Sequence, residues 1–537
     1  MRPEYCTLPV SRLHLVVMTQ IPTELQLADE LIPLLREELS VYTVENLVEV
    51  FSQEAYEAYQ QEQRVALLHA VRQASGGGQT VATEEEKQTV EQLSVFSLLF
   101  LLGEAVEAQW LAQILHKVTI DDLVSVGLLC QEANQVWAKV KLEPHRVEFN
   151  EQQFNWWIAS DFPSSVTGKP VEKDHVLGIG GATRTLLQAT PRGQVKRVLD
   201  LGTGCGIIGM YAALHADEVI ATDISARAVQ IARFNATLNQ VPMQVIQGSL
   251  FEPVEGDFDL ILSNPPFVIT PASLRETGVL EYRDGGLPAD TLLEQVIQGA
   301  ATRLRPNGVA IMLGNWEIPQ GKTSEIHPRQ WLTSQPVTAW VVQREKLTPH
   351  QYVQMWLRDN APAWMRSQID YETDYINWVS DFAARKVEAI GLGLVALVKP
   401  AEATNPTHFE FSEISTGISA HGSYIKRVLE ELAENKLEIR NTDFFIRAED
   451  VREERHYLPG EPDPQIIIAT QGDGFGQRIQ LNTHLAAALG ACDGELNIGQ
   501  IVTAISVITG VEHAVVETAV YGQLPQVILA GMLFRAK

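Results

Sequence analysis

Two short stretches of this chain combine residue types at spacings suited to chemistry. Residues 198–206 read Val-Leu-Asp-Leu-Gly-Thr-Gly-Cys-Gly. Gly202, Gly204 and Gly206 let the backbone turn tightly and approach a ligand closely before a helix begins. Glycines alone fit a dinucleotide loop or a plain tight turn. Asp200 stands inside the strand end that feeds them, and Asp223 follows in Ala-Thr-Asp-Ile, residues 221–224. The Asp223 carboxylate can accept both hydroxyls of a ribose, as acidic residues do in related nucleotide folds. Its plainer use is to cap a helix or sit in its first turn. Residues 259–267 read Asp-Leu-Ile-Leu-Ser-Asn-Pro-Pro-Phe. Here Asn264 closes an apolar run, Pro265 and Pro266 stiffen the chain, and Phe267 offers a ring face. An Asn-Pro-Pro turn with no further role is the competing reading.

The elements that must position these residues are strands alternating with helices. Apolar runs at 197–201, 219–222, 244–247, 258–262 and 309–313 suit strands buried on both faces, with helical segments near 207–214, 226–239 and 291–304. That rhythm predicts a doubly wound parallel sheet, an α/β Rossmann-like core. Two further strands are expected at 338–342 and 391–398, with a helical insert at 349–390 that holds Trp356, Trp364, Tyr371, Tyr375 and Trp378. Core packing is the expected role of these aromatics, as it is for Trp156 and Trp157; a substrate platform is the alternative for the insert. Both stretches fall at carboxyl ends of strands, the edge where open α/β sheets bind ligands.

Asp200 followed by Gly-x-Gly-x-Gly, with an acid ending the next strand, resembles motif I of class I S-adenosylmethionine-dependent methyltransferases. The Asn-Pro-Pro-Phe of 264–267 narrows the resemblance to amino-methyltransferases of the "methyltransferase small domain" group. Members methylate exocyclic amines of adenine or guanine, or the side-chain amide of glutamine in release factors. The resemblance covers about residues 154–400. It implies a sheet of seven strands, with S-adenosyl-L-methionine held by Asp200, Gly202, Thr203, Gly204, Gly206, Asp223 and Ile224. It also implies contacts from Ser249, Leu250 and Asn264. Relatives often carry Asp where this chain has Ser249, which puts an adenine contact there in doubt. Catalysis falls to Asn264, Pro265, Pro266 and Phe267. A planar conjugated nitrogen is a poor nucleophile because its lone pair is delocalised. The Asn264 side-chain oxygen and the Pro265 carbonyl can accept its two N–H bonds, turn the lone pair toward a sulfonium methyl and stabilise the growing positive charge. No metal is needed. Residues 175–185 (His-Val-Leu-Gly-Ile-Gly-Gly-Ala-Thr-Arg-Thr) occupy the place of a cover over cofactor and substrate, or of an ordinary loop. The Tyr-Arg-Asp-Gly-Gly of 282–286 occupies that of a substrate-side loop.

The chain has 537 residues, 45% hydrophobic and 20% charged, with a mean hydropathy of −0.03. This is enough for three or four domains with their own cores and excludes wholesale disorder. Forty-one basic and 67 acidic side chains leave a net charge of −26. Residues 1–150 carry −12, 151–400 only −5, and 401–537 −9. That balance offers no general surface for nucleic acid or anionic membrane. No run approaches a membrane span, and the short apolar stretch 13–18 makes a poor signal peptide, so that Met18 is an alternative start. Cys6, Cys130, Cys205 and Cys492 have neither metal-ligand nor disulfide spacing, in keeping with the cytoplasm. Residues 1–150 read as a helical domain. Helical periods run from 25 to 129, broken by Ser-Gly-Gly-Gly at 75–78, and a helix–Gly–strand ending at 127–142 looks winged-helix-like or belongs to a packing bundle. Residues 401–537 read as an acidic α+β accessory domain, where Gly-Met-Leu-Phe at 531–534 repeats the look of 127–129.

Three functions follow. The first is methyl transfer to a planar amino or amide nitrogen of ribosomal or transfer RNA. The second is glutamine-amide methylation of a release factor or ribosomal protein, which a basic protein docking on acidic flanks would suit. The third is a cofactor-binding module without catalysis, against which the intact Asn-Pro-Pro-Phe argues.

Overall fold

A computed structural model of the chain describes residues 25, 28–75, 83–277, 280–360, 368–402, 407–414, 421–433, 438–472 and 474–536. Cys6, the stretch 13–18 with Met18, the glycines at 76–78 and Trp364 lie outside them. The centre is one mixed sheet of β1 (Val195–Leu201), β2 (Ala216–Asp223), β3 (Gln244–Gln247), β4 (Phe258–Ser263), β5 (Leu304–Pro319), β6 (Thr338–Leu347), β7 (Val387–Val398) and β8 (Phe409–Glu413). Their order is β8-β6-β7-β5-β4-β1-β2-β3. All neighbours run parallel except β7, which is antiparallel to both β5 and β6. The expected seven strands become eight. The additional strand, β8, pairs with β6 from Ala339↔Phe409 to Gln343↔Glu413 and covers what would otherwise be an open edge.

Helices α1 (Ile207–Ala212), α2 (Ala226–Leu238) and α3 (Thr291–Arg303) connect strands, and α4 (Pro349–Asn360) and α5 (Gln368–Ala384) form the insert between β6 and β7. Leu199, Ile261, Ala310 and Met312 point to one face of the sheet and pack with Val296, Ile297 and Ala300 of α3. Val198, Leu260, Leu262 and Ile311 point to the other, as the two-residue period of a strand dictates. Because the insert leaves from the end of β6, which runs parallel to β8 and antiparallel to β7, it reaches the edge where β1 and β4 end.

An antiparallel hairpin, Lys141–Phe149 with Gln152–Ser160, joins the helical N-terminal part to this core, its turn passing through Asn150 and Glu151 at φ 48° and 63°. It is tied to α2 by two amide clamps. Asn239 accepts from Trp157 N (2.9 Å) and donates to Trp157 O (2.9 Å), and Asn235 does the same with Ala159 at 2.7 and 2.9 Å. Each Asn therefore stands in for a neighbouring strand, satisfying both backbone groups of a buried residue. The hairpin spans position 150, and β8, after position 400, pairs into the central sheet.

In the N-terminal part, Glu84–Phe96, Val106–Glu107, Ala108–Ile114 and Ile120–Ser125 lead into the hairpin Leu129–Glu132/Gln135–Ala138, with Val106–Glu107 pairing on its outer strand. The buried Glu38 carboxylate accepts from Gln92 Nε2 and from the backbone N–H groups of His116 (2.8 Å) and Lys117 (2.6 Å), holding that unit to the preceding helices. The C-terminal part holds Thr483–Ala491, Asp493–Asn497, Ile498–Thr509, His513–Tyr521 and Leu524–Leu529, then Leu533–Arg535, the two strands pairing on either side of Phe444–Arg447. It attaches through Gly422–Ala433, whose Tyr424 packs edge-on against Trp340 of β6 and against Phe475. Among the described residues no helix is long and apolar enough to cross a membrane.

Candidate functional site

β1 delivers the glycine loop to the carboxyl edge. Gly202, Gly204 and Gly206 have φ of 73°, 55° and 87°, which L side chains adopt only with strain. Gly206 is further constrained, since a Cβ there would lie 3.0 Å from the Ala232 Cβ of α2. Asp200 lies fully buried beneath the loop. Its Oδ2 accepts from Thr203 Oγ1 at 2.5 Å and from Gly209 N at 2.9 Å, closing the turn onto the first turn of α1. Burial lifts its carboxyl to about 6, against the pull of those two hydrogen bonds. Asp200 and Gly206 shape the loop from behind, while Gly202, Thr203 and Gly204 line the cavity in front of it.

Asp223 ends β2 one strand away. Oδ2 accepts from Gly204 N and Oδ1 from Ser225 N, each at 2.9 Å, so the acid also fixes the glycine loop and the start of α2. Burial raises its pKa as well. Each carboxylate oxygen retains a lone pair for a further donor. Ile224, 63% exposed, forms an apolar lip beside it, and Ser249 and Leu250 line the same cavity past β3.

β4 ends at Ser263, whose hydroxyl donates to Leu201 O (2.8 Å) and locks the two loops side by side. Asn264, Pro265 and Pro266 line the cavity, which holds about 540 Å³. The Asn264 side-chain oxygen is buried and has no hydrogen-bond partner. Buried acceptors are nearly always satisfied; Asp200 Oδ1 beneath the glycine loop is likewise buried without a partner, but Asn264 lines the cavity. Phe267 is placed differently. Its half-buried ring lies edge-on to Trp356 of α4, with centroids 6.3 Å apart, and is not part of the cavity lining.

The Tyr-Arg-Asp-Gly-Gly loop reaches the same place. Val268 N donates to Arg283 O (2.9 Å), and buried Asp284 accepts from Thr270 Oγ1 (2.6 Å) and Leu280 N (2.9 Å). Gly285 sits so close that a Cβ would lie 2.9 Å from Pro266 O. On the opposite wall, His175, Val176, Leu177 and Gly178 of the glycine-rich segment line the cavity. Asp161, at the end of the hairpin, accepts from Val176 N (2.8 Å) and from Arg227 Nε (2.9 Å) of α2. His175 stands edge-on to Tyr282 at 5.4 Å, joining the two walls.

Several functional neighbours escape sequence reading. Tyr352 of α4, wholly buried, accepts from Ile269 N and Asn315 Nδ2 at 3.0 Å each, pinning the chain just past Phe267. Asp161 and Arg227 are similarly remote. Among the described residues no group of three His, Cys, Asp or Glu is arranged to hold a metal.

Residues 178–280 match the family model of the methyltransferase small domain, a span that contains the glycine loop, Asp223 and the Asn-Pro-Pro-Phe segment. Residues 40–139 match a domain of unknown function (DUF7059). The chain is similar to the release factor glutamine methyltransferase of Deinococcus radiodurans, 35% identical over 135 residues, which is 24% of this chain and 48% of that protein. It is similar to a putative protein N5-glutamine methyltransferase of Methanocaldococcus jannaschii, 35% identical over 22% of this chain and 61% of that one. A ribosomal RNA small subunit methyltransferase C of Alcanivorax borkumensis is 29% identical over 24% and 34%. The chain thus spans between a third and about three-fifths of the length of these curated relatives.

Proposed function

We propose that this chain is an S-adenosylmethionine-dependent methyltransferase acting on a planar amino or amide nitrogen. The observation that carries the reading is the buried, unpartnered Asn264 Oδ1 in the wall of a cavity whose other side is the glycine loop. The residues suit the cofactor. Asp223 keeps acceptor capacity for ribose hydroxyls, Ile224 and Leu250 offer apolar surface to an adenine, and Gly202, facing the Pro265 backbone, and Gly204 carry no side chain. When bound, S-adenosylmethionine supplies an electrophilic sulfonium methyl. Asn264 Oδ1 and the Pro265 carbonyl accept the N–H groups of the acceptor nitrogen, hold its lone pair in line and stabilise positive charge as it develops. Asp200 acts through Thr203 and Gly209 by holding the loop.

Two acceptors suit this chemistry, an amine of ribosomal or transfer RNA and the glutamine amide of a translation-associated protein. The packing of the half-buried Phe267 ring against Trp356 supports the amide over a base that would stack on that ring. The enzyme would then work in the cytoplasm, where both acceptors are found. The test is to incubate purified protein and labelled methyl donor with extract from a deletion strain. Label released only by protease supports the amide and label released by ribonuclease the RNA. No label at all would return the chain to a non-catalytic cofactor-binding module.

A further inference from the structure

The cavity wall that faces the Tyr-Arg-Asp-Gly-Gly loop belongs to none of the strands that carry the other lining residues. Residues 173–178 are irregular backbone, so no sheet or helix fixes where His175, Val176, Leu177 and Gly178 stand. Asp161, the residue after the hairpin, does so instead. Its backbone N–H donates to Val176 O at 2.9 Å, and its Oδ2 accepts from Val176 N at 2.8 Å. Val176 is 2% exposed, and both of its backbone groups are thus satisfied by Asp161 alone. Gly178 is pressed onto the same corner, for a Cβ there would lie 2.9 Å from Ser160 Oγ.

A carboxylate on two rotatable bonds does not hold a wall by itself, and Arg227 removes that freedom. Its Nε donates to Asp161 Oδ2 at 2.9 Å and its Nη2 pairs with Oδ1, the two-pronged geometry that a guanidinium and a carboxylate share. His175 Nδ1 stands 4.0 Å from Oδ2, beyond hydrogen-bond reach, and burial lowers its pKa, so Arg227 is the counter-ion. The pair is not needed to join the hairpin to α2, because Asn235 and Asn239 already do so with four hydrogen bonds. What it adds is the grip on Val176. Arg227 lies in the first turn of α2, just past Ser225, whose N–H is held by Asp223. It therefore sets the wall in register with the acid that suits a ribose, and not with Asn264. Neither Asp161 nor Arg227 lines the cavity itself. We propose that Asp161 and Arg227 are positioning residues that latch the 173–178 wall for S-adenosylmethionine. The latch stands on its own geometry, whereas its service to that cofactor rests on the methyl-transfer reading.

The test compares Asp161→Asn, Arg227→Met, their double variant and Arg227→Lys in the full chain. Calorimetry should find S-adenosylmethionine bound about tenfold more weakly by each neutral single variant, the loss of one charge-assisted contact. The double variant should be no weaker than either single one, because both residues act through one pair. Arg227→Lys keeps the charge and gives up the fork, so it should lose less, and it carries the test if Arg227→Met misfolds. At saturating cofactor kcat should stay within about twofold of wild type, which a damaged core would not allow. Hydrogen exchange without any ligand reads the wall directly. Peptides covering 173–178 should exchange about tenfold faster in Arg227→Met, while those covering 195–201 keep their rate. Effects that multiply in the double variant, unchanged exchange at 173–178, or a fall in kcat with cofactor affinity intact would each overturn the proposal. If wild type bound no S-adenosylmethionine, the methyl-transfer reading would fall instead, and the exchange difference alone would decide the latch.

Discussion

The two halves of the cavity are built on opposite plans. On the glycine-loop side every acidic group already serves the backbone. Asp200 holds Thr203 and Gly209 through Oδ2, its buried Oδ1 having no partner, and Asp223 holds Gly204 and Ser225, so the cavity surface is fixed before any ligand arrives. On the Asn264 side the key oxygen is left without a partner, and the loop carrying it is braced from a distance by Asp284, Tyr352 and Trp356. A half that binds a constant ligand can be self-contained, because its hydrogen bonds are local. A half that must meet a variable acceptor depends on elements elsewhere in the chain, and those are where specificity can change.

Substitutions should separate the halves. Asn264→Ala removes an acceptor that orients the methyl-accepting nitrogen and stabilises its developing charge, so transfer should fall by about 10²–10³-fold while cofactor affinity measured by calorimetry stays near wild type. Asp223→Ala should do the reverse, weakening cofactor binding by about 10–100-fold through the loss of charge-assisted hydrogen bonds. If Asn264→Ala lost cofactor binding and kept transfer, the assignment of the two halves would be wrong.

A smaller effect should come from the brace. Tyr352→Phe leaves Ile269 N–H and the Asn315 amide without their shared acceptor in a fully buried place. The expected cost is about 1–3 kcal/mol of stability. With the loop loosened, kcat should fall and the KM for S-adenosylmethionine should hold. An equal rise in cofactor KM would mean that the brace serves the whole cavity and that the halves are not independent.

The same division explains what was legible in the sequence. The strands, the glycine loop and Asp223 lie within a single βαβαβ run, where the pattern of apolar residues and glycines states the local geometry directly. The loop of Asn264 was legible for the same reason. Its braces were not, since Tyr352 lies 88 positions beyond Asn264 in a helix whose apolar residues read equally well as core. Nor was the packing of Phe267 against Trp356, a contact that exists only once the insert has folded back. The eighth strand was missed because Phe-Glu-Phe-Ser-Glu is a short alternating edge strand in a polar neighbourhood, with too little apolar length to stand out. The departure at Ser249 remains compatible with the cavity, for Ser249 does line it.

The last expected effect, which needs no substrate to read, tests whether the self-contained half carries a cost. Asp200 is fully buried, and burial raises its carboxyl from 3.8 to about 6 in the folded chain. Between those values the native state holds a proton that the unfolded chain has released, so stability must fall as pH rises through the window. The contribution is fully present below the unfolded value and lost by about pH 6. Above it the ionised carboxylate persists because Thr203 and Gly209 donate to it. Asp200→Asn cannot titrate. The melting temperature of wild type should therefore drop relative to Asp200→Asn by about 4–8 °C between pH 4 and 7, the size expected for ~2 kcal/mol in a domain of this class. Parallel melting curves for the two proteins across that range would mean that Asp200 is not perturbed. The glycine-loop half would then be as inexpensive to ionise as an exposed surface, and the contrast between the halves would rest on Asn264 alone.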